Sequence, residues 1–207
     1  METKKIYFLL TDTGTVLNRS IKLITNKPYN HISLSFDESL EKLYSFGRKK
    51  AYNPFIGGFV KEDINGPLFL NAKCVIYCLE IDEGSYQQIK YNIKHFENNS
   101  NVYNYDFLGL FGVLFNIKNQ RRNTYFCSHF IAHILRSSNI NVIEKDPFFT
   151  TPADFEQIPN IKLLYKGSLA NYHNKKQTSP NKEKDSLGNQ IIKLSFLKRI
   201  PIVSKLF

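Results

Sequence analysis

The segment of residues 31–36 (HISLSF) alternates strictly between polar and apolar residues. Because successive side chains of a β-strand point to opposite faces of its sheet, the three apolar residues share one face, and His31 shares the other with two serines. This pattern predicts a strand buried on one face. The small serines leave space for another group to reach the His31 imidazole. The same pattern also fits a histidine that only forms a hydrogen bond at the end of a strand.

The rest of the chain predicts strands and helices in a mixed order, which indicates an α+β fold. Two N-terminal strands are followed by the return strand of a hairpin, and another strand comes before the last three helices. We expect strands over 4–10, 31–36, 41–47, 73–81 and 161–166, and helices over 15–25, 84–98, 104–117 and 124–138, with 104–117 buried. Residues 47–67 contain Pro54 and several glycines among aromatic residues, so we predict a loop whose rings line a groove.

Composition excludes several classes of protein. The 207 residues are 42% hydrophobic, which is enough for a packed core, and three cysteines cannot form a dense disulfide framework. No apolar run approaches the ~18 residues that span a bilayer. The run Ile6–Leu10 is too short for a signal-peptide core of ~7–15 residues. We therefore expect a soluble, cytoplasmic protein with reduced thiols.

The positive charge is concentrated at the C-terminal end, where residues 170–207 hold eight basic and two acidic residues. We divide the chain into a domain over 1–169, a flexible basic linker over 170–189 and a basic amphipathic segment over 190–207. The last segment could bind an anionic membrane surface, dock on a partner or pack on its own domain. We find no nucleic-acid-binding motif and expect no nucleic-acid partner.

Cys127 is the strongest candidate for a reactive residue. Asn123 or Thr124 is expected to cap the predicted helix, which would put Cys127 in its first turn. The helix dipole and the free N–H groups there stabilise a thiolate and can hold an oxyanion. A cysteine nucleophile also needs a base, normally a histidine distant in sequence. The alternative is that Cys127 is a small core residue on an apolar helix face.

The other cysteines and histidines point to no metal or cofactor. His129 and His133 are four residues apart, but Phe130 stands where the zinc-peptidase motif requires Glu, so we expect them on a polar or partly exposed helix face. Cys74 and Cys78 lie ~13 Å apart if they share one strand, too far for a disulfide or a common metal. We expect both thiols to fill the apolar side of a sheet.

The segments around His31 and Cys127 resemble those of a known superfamily. Tyr29-Asn30-His31-Ile32-Ser33-Leu34 matches the histidine strand, and Tyr125-Phe126-Cys127-Ser128-His129-Phe130 matches the cysteine helix, of circularly permuted papain-like proteins of the NlpC type, including bacterial YiiX-type proteins and, more distantly, lecithin retinol acyltransferase. The order of histidine before cysteine is the mark of the permutation. The resemblance covers about residues 4–167 and implies a small antiparallel sheet or half-barrel packed against helices.

The resemblance also implies a third polar residue that orients the imidazole. Alignment of the hairpin gives Ser45 this position. Serine is a weaker orienting group than the residues common there, and Tyr44, Glu62 or a backbone carbonyl remain alternatives.

The implied activity is that of a cysteine hydrolase, a peptidase or amidase. His31 would take the proton of the Cys127 thiol, and the sulfur would attack a carbonyl of a peptide, an isopeptide or a lipid-linked amide. An acyltransferase is a variant of the same chemistry. A catalytically inactive binding module of the same fold, and a membrane-surface adaptor that acts through residues 190–207, are the alternative functions.

Overall fold

A computed structural model describes most of the chain and divides it into two compact units, Met1–Ala170 and Asn171–Phe207. All elements below belong to the first unit. The described residues are 2–12, 27–50, 53–67, 69, 71–114, 116–118 and 120–172. The predicted helix over 15–25 and the tail from residue 173 onward lie outside them.

The first unit is built on a six-stranded sheet in which every neighbouring pair of strands is antiparallel. The strands lie in the order β4-β3-β2-β1-β5-β8. Their bounds are β1 Thr3–Asp12, β2 His31–Ser35, β3 Leu43–Lys50, β4 Asn53–Glu62, β5 Lys73–Asp82 and β8 Lys162–Ser168. The α+β expectation and the antiparallel sheet packed with helices are therefore confirmed.

Four helices and a short second sheet accompany this sheet in the part of the unit that the structure describes. The helices are α1 Glu83–Asn98, α2 Phe107–Leu114, α3 Cys127–Ser137 and α4 Pro152–Phe155, with a 3-10 turn at Pro147–Phe149. Two short parallel strands, β6 Asn104–Tyr105 and β7 Thr124–Tyr125, pair with each other. Within the described part of the chain, we find no helix with the length and apolar character needed to cross a membrane.

The core lies between the sheet and the helices α1 and α3. Strand β1 forms its centre because its middle residues are apolar and the strand pairs with β2 on one side and β5 on the other. Helix α1 begins after Asp82, whose carboxylate accepts a hydrogen bond from the Ser85 N–H and so caps the helix. Helix α3 contacts β2 and β3 with its apolar residues, and Phe130 and Ile131 on it are fully buried. The strand that carries His31 is thereby packed directly against the helix that begins at Cys127.

The prediction of a long loop over 47–67 is wrong, because β3 and β4 form a hairpin through most of this segment. Glycines at 57 and 58 suggested a loop, but they lie within β4. A Cβ atom at Gly57 would lie 2.6 Å from Cβ of Tyr105, so the close approach of β6 requires glycine there. Phe59 packs in the core rather than lining a groove.

The predicted helix over 104–117 is shorter than expected and is not buried throughout. Residues 104–105 form β6, the helix spans Phe107–Leu114, and Leu108 is 59% exposed. The predicted helix over 124–138 begins later, because residues 124–125 form β7. Parallel pairing of these two short strands took precedence over helix propensity at both positions.

Candidate active site

Cys127 is the first residue of helix α3, and its side chain is nearly buried, at 5% exposure. The predicted cap by Asn123 or Thr124 is wrong, since the N-cap is Phe126 in an extended conformation, with no side-chain cap hydrogen bond. The Thr124 hydroxyl instead donates to the carboxylate of Asp106, 3.1 Å away. Strand β7 thus leads into the helix directly, and Cys127 is the first residue of the first turn.

The start of α3 offers hydrogen-bond donors beside the Cys127 sulfur. The first N–H groups of any α-helix lack partners within the helix, and they carry the positive end of the helix dipole. The first turn of α3 contains no acidic residue that would occupy these groups. A negative charge on the sulfur, or on an oxygen bonded to a carbon that the sulfur attacks, is therefore favoured at this position.

His31, the first residue of β2, lies between Cys127 and a carboxylate. Its side chain also interacts with that of Cys127, which helps to raise the pKa of the imidazole. Its Nε2 atom lies 2.8 Å from Oε1 of Glu62, the last residue of β4. Both side chains are largely removed from solvent, with 14% of His31 and 9% of Glu62 exposed. The structure thus joins a thiol, an imidazole and a carboxylate from three different elements.

The pKa of His31 reflects a competition between burial and these partners. Burial by itself lowers the pKa, because it disfavours the charged imidazolium. The Glu62 carboxylate and the hydrogen bonds with Cys127 and Glu62 act in the opposite direction, and together they raise the pKa well above the ordinary value of 6.5. The ring therefore holds a proton more tightly than an isolated histidine does.

Two small residues provide the space in which His31 and Glu62 meet. Ser33, one of the two serines on the His31 face of the strand, donates a hydrogen bond to Oε2 of Glu62 and so fixes the carboxylate. Gly47 of β3 lies under the pair, because a Cβ atom there would be 3.4 Å from Oε1 of Glu62 and 3.7 Å from Cε1 of His31. The sequence suggested the space around the imidazole through its serines but gave no signal for Gly47.

Hairpin alignment gave Ser45 the position that orients the imidazole. The hydrogen bond of the Ser45 side chain goes to another group. The buried Ser45 hydroxyl donates to the carbonyl of Ile32, 2.7 Å away, and so ties β3 to β2. Tyr44 packs against Phe36, with ring centroids 5.8 Å apart. Of the alternatives raised from the sequence, Glu62 is the one that contacts His31. Hairpin alignment did not indicate Glu62 because this residue lies on the next strand, β4.

Tyr105 is a further polar group near the sulfur, and no pattern in the sequence indicated it. Burial raises the pKa of Tyr105, the nearby Cys127 adds to this effect, and Arg48 opposes it. The phenol therefore remains protonated and can donate a hydrogen bond. Only the pairing of β6 with β7, which sets Tyr105 opposite Tyr125, brings it near Cys127, so a one-dimensional pattern could not reveal it.

A buried carboxylate holds the segment that leads to Cys127. Asp106 is fully buried and accepts hydrogen bonds from the Gly109 N–H and the Thr124 hydroxyl, and it forms an ion pair with Arg121 at 3.0 Å. Its own N–H donates to the carbonyl of Tyr125, two residues before Cys127. These contacts fix the start of α3 relative to β6 and α2.

His129 does not lie on a polar helix face, which corrects the sequence expectation. It is 2% exposed and packs against the rings of Tyr125, Phe126 and Phe148. Burial lowers the pKa of His129 to about 4, with a smaller contribution from His133. Among the described residues, no group of three or more His, Cys, Asp or Glu side chains could hold a metal ion.

Cys74 and Cys78 are both buried in β5, as their strand pattern predicted. Burial raises the pKa of Cys74 to about 12 and also raises that of Cys78. Both sulfurs therefore remain protonated thiols near neutral pH. They serve as internal references for the reactivity of Cys127.

Comparison with known proteins found no match among protein-family models, curated proteins or solved structures.

Proposed function

We propose that this protein is a cysteine hydrolase of the circularly permuted papain-like type, in which Cys127 is the nucleophile, His31 the base and Glu62 the orienting carboxylate. The substrate is an amide or ester whose acyl group is transferred to the sulfur. The observation that carries the proposal is the position of His31, which forms a hydrogen bond with Glu62 and interacts with Cys127. This is the arrangement of nucleophile, base and orienter that activates a cysteine.

The hydrogen bonds assign a role to each nitrogen of His31. Because Nε2 donates to the Glu62 carboxylate, Nδ1 is the nitrogen left to accept the proton of the Cys127 thiol. The raised pKa of His31 favours this transfer and yields an imidazolium beside a thiolate. Glu62 stabilises the imidazolium and fixes the orientation of the ring.

The reaction then proceeds in two balanced steps. The thiolate attacks the carbonyl carbon, and the resulting oxyanion accepts hydrogen bonds from the N–H groups at the start of α3. The C–N or C–O bond breaks, and the leaving amine or alcohol takes the proton from His31. Water next gives a proton to His31 and attacks the thioester, which releases the acid and restores the thiolate.

The first experiment measures the reactivity of the three thiols in the folded protein. Iodoacetamide at neutral pH is expected to alkylate Cys127 and leave Cys74 and Cys78 unmodified, as seen by peptide mass mapping. The variant His31→Ala should slow alkylation by about tenfold or more, because the base that generates the thiolate is gone. His95→Ala, at an exposed position, is the matched control and should leave the rate unchanged.

A turnover screen with acyl amides and esters completes the test. Cleavage by the wild-type protein should disappear in Cys127→Ala, while both proteins retain the same far-UV circular dichroism and melting temperature. Alkylation of all three cysteines only after unfolding would contradict the proposal. Selective alkylation without any turnover would instead favour a binding module that retains the arrangement.

A further inference from the structure

Ser33 contacts both His31 and Glu62, the two residues of the proposed site that come from the large sheet. Its hydroxyl donates to Oε2 of Glu62, and its oxygen lies 3.3 Å from Nε2 of His31. Oε1 of Glu62 lies 2.8 Å from the same Nε2 atom. The three side chains therefore form a closed set of contacts, which we call the Ser33 triangle. Ser33 is fully buried, so no solvent competes for its hydroxyl.

Glu62 reaches the Ser33 triangle from a strand that is not a neighbour of β2. Its strand, β4, is separated from β2 by β3, and its Oε1 atom would lie 3.4 Å from a Cβ atom at Gly47 of β3. A long side chain loses rotamer freedom when it is held in one position. The hydrogen bond from Ser33 fixes one carboxylate oxygen of Glu62, and thereby helps to hold the other beside His31.

The hydroxyl proton of Ser33 also favours one charge state of the carboxylate. An ionised carboxylate only accepts hydrogen bonds, and a serine hydroxyl has a single proton to donate. A carboxylate that is only 9% exposed depends on donors from the protein to stabilise its charge, because little water reaches it. Donation by Ser33 to Oε2 therefore favours the ionised form of Glu62.

Two arrangements of protons are available once the Cys127 thiol has given its proton to Nδ1 of His31. In the first, the Nε2 proton stays on the ring and is donated to Oε1 of Glu62, which leaves an imidazolium between a thiolate and a carboxylate. In the second, the Nε2 proton has moved to Oε1, which leaves a neutral ring and a carboxylic acid. Both contain the same number of protons, but only the first puts a positive charge beside the sulfur.

We propose that Ser33 is a positioning residue that keeps this proton on Nε2 of His31 and off Glu62. It acts through the carboxylate and touches neither the sulfur nor the acyl group. The role deepens the proposed function and rests on it, since an imidazolium is required where a thiolate is the nucleophile and where a leaving group must be protonated. The proposed triad thus becomes a chain of four groups that ends at the Ser33 hydroxyl.

The other groups near His31 limit what a pH profile can report. Ionisable side chains of this neighbourhood come from four elements, as Glu62 of β4, Cys127 of α3, Tyr105 of β6 and Arg48 of β3. Thr11 of β1, which pairs with His31, is not ionisable near neutral pH. Burial raises the pKa of Tyr105, and an arginine stays charged, so neither titrates near neutral pH. A changed profile there therefore reports on His31, Cys127 and Glu62.

The first test compares turnover of para-nitrophenyl acetate by the full-length wild type and by Ser33→Ala. The alkaline limb of the pH–rate profile should move to lower pH by about one unit in the variant, because the loss of a hydrogen bond to a charged group shifts an equilibrium by about tenfold. At the alkaline end of the wild-type plateau, kcat should fall about tenfold. KM should change less than about twofold, because Ser33 acts through Glu62.

NMR spectroscopy measures the same effect without any substrate. The Cε1–H resonance of His31, identified by its absence in His31→Gln, is followed as a function of pH. Its titration midpoint should be about one unit lower in Ser33→Ala than in the wild type, because the charged ring has lost part of its support.

Ser35→Ala is the matched control. Ser35 lies on the same face of β2 and is fully buried, and its hydroxyl donates to the carbonyl and the carboxylate of Asp37 at 3.0 and 3.1 Å. The two variants should lose similar amounts of stability in denaturant unfolding. Ser35→Ala should keep the wild-type midpoint of His31 and the wild-type alkaline limb, which a general disturbance of the strand would move.

The outcomes separate the role of Ser33 from the proposed activity. A wild-type midpoint of His31 in Ser33→Ala would overturn the inference, and so would equal shifts in Ser33→Ala and Ser35→Ala. If the midpoint shifts only in Ser33→Ala but the wild type turns over no more ester than Cys127→Ala, the role of Ser33 in the charge of His31 holds and the hydrolase function fails. If turnover depends on Cys127 while Ser33→Ala titrates like the wild type, the function holds and the inference fails.

Discussion

His31 and His129 are both largely buried histidines, yet their surroundings shift their pKa values in opposite directions. His31 lies beside the Glu62 carboxylate and the Cys127 thiol, which raise its pKa well above 6.5 despite the opposing effect of burial. His129 is two residues from Cys127 in sequence and is enclosed by aromatic rings, where burial lowers its pKa to about 4. The histidine closer in sequence to the proposed nucleophile is thus the less basic of the two.

The hydrogen bonds of the two rings explain the difference. Nε2 of His31 has a carboxylate as its partner, which favours the charged ring. The Nδ1 atom of His129 is buried and has no hydrogen-bond partner among the described residues, and its Nε2 lies 3.4 Å from the amide nitrogen of Gln120. An amide N–H requires a neutral ring as acceptor. A buried histidine therefore keeps a pKa high enough to act as a base only where a fixed negative charge lies beside it.

Among the substitutions considered, replacement of the Glu62 carboxylate should have the largest effect on His31. Glu62→Gln should lower turnover by about 100-fold, because the imidazolium loses its stabilising charge and its orientation. The alkaline limb of the pH–rate profile should also move to lower pH, since Glu62 is the main cause that raises the pKa of His31. The measurement is turnover as a function of pH.

Glu97→Gln is the control for this variant, because Glu97 is a surface carboxylate that pairs with Lys61 and Lys94. It should leave the pH profile unchanged. A Glu62→Gln protein with a wild-type alkaline limb would mean that Glu62 is not the group that holds the proton on His31.

A larger side chain at position 47 should weaken the same pair without changing its charges. Gly47→Val places methyl groups where Glu62 and His31 now meet, and the carboxylate must move away. We expect about a tenfold lower alkylation rate of Cys127, because misplacement of a catalytic group by about 1 Å costs up to 10²-fold. Gly47→Ala is the graded control, since its Cβ has room at 3.4 Å. Equal rates in Gly47→Val and the wild type would show that the space is not needed.

The pH dependence of stability should differ in sign between the two histidines. The stability contributed by His31 is present below its unfolded pKa near 6.5 and is lost as the pH rises through its raised folded pKa. The stability contributed by neutral His129 is present above 6.5 and is lost as the pH falls toward 4, because the unfolded chain takes up the proton first. Urea unfolding at a series of pH values measures both effects.

His129→Leu should remove the acidic part of this dependence and leave the alkaline part. Its free energy of unfolding at neutral pH should rise by about 1 kcal/mol, because a buried nitrogen without a partner is removed. His95→Leu, at an exposed position, should keep the wild-type dependence on both sides. If the free energy of unfolding of His129→Leu still falls at acidic pH as in the wild type, another group causes that loss of stability.

The smallest effect is expected at Ser45. Ser45→Ala removes the hydrogen bond to the Ile32 carbonyl and should lower the free energy of unfolding by about 1 kcal/mol, while Cys127 alkylation changes less than about threefold. A loss of alkylation as large as that of Glu62→Gln would return the orienting role to Ser45. Denaturant unfolding and alkylation kinetics on the same sample decide between the two.

Local patterns in the sequence were enough to locate the strand and the helix that carry the site. Alternation of side chains marked β2, and a 3.6-residue period marked α1, because one-sided burial imposes a period on the chain that is visible without any partner. The same local signals singled out His31 at the start of a strand and Cys127 near the start of a helix. They failed at residues 53–62, where glycines suggested a loop, and at residues 104–105 and 124–125, where each short strand depends on a partner about twenty residues away.

The groups around the Cys127 sulfur depend on contacts that form only in the folded protein. Glu62, Gly47 and Tyr105 reach the site through the order of the strands and the pairing of β6 with β7, which are contacts between segments far apart in sequence. The environments of His31 and His129 were decided in the same way, because a pKa depends on the charges and the solvent around a group in space, and a neighbour in sequence need not be a neighbour in the fold.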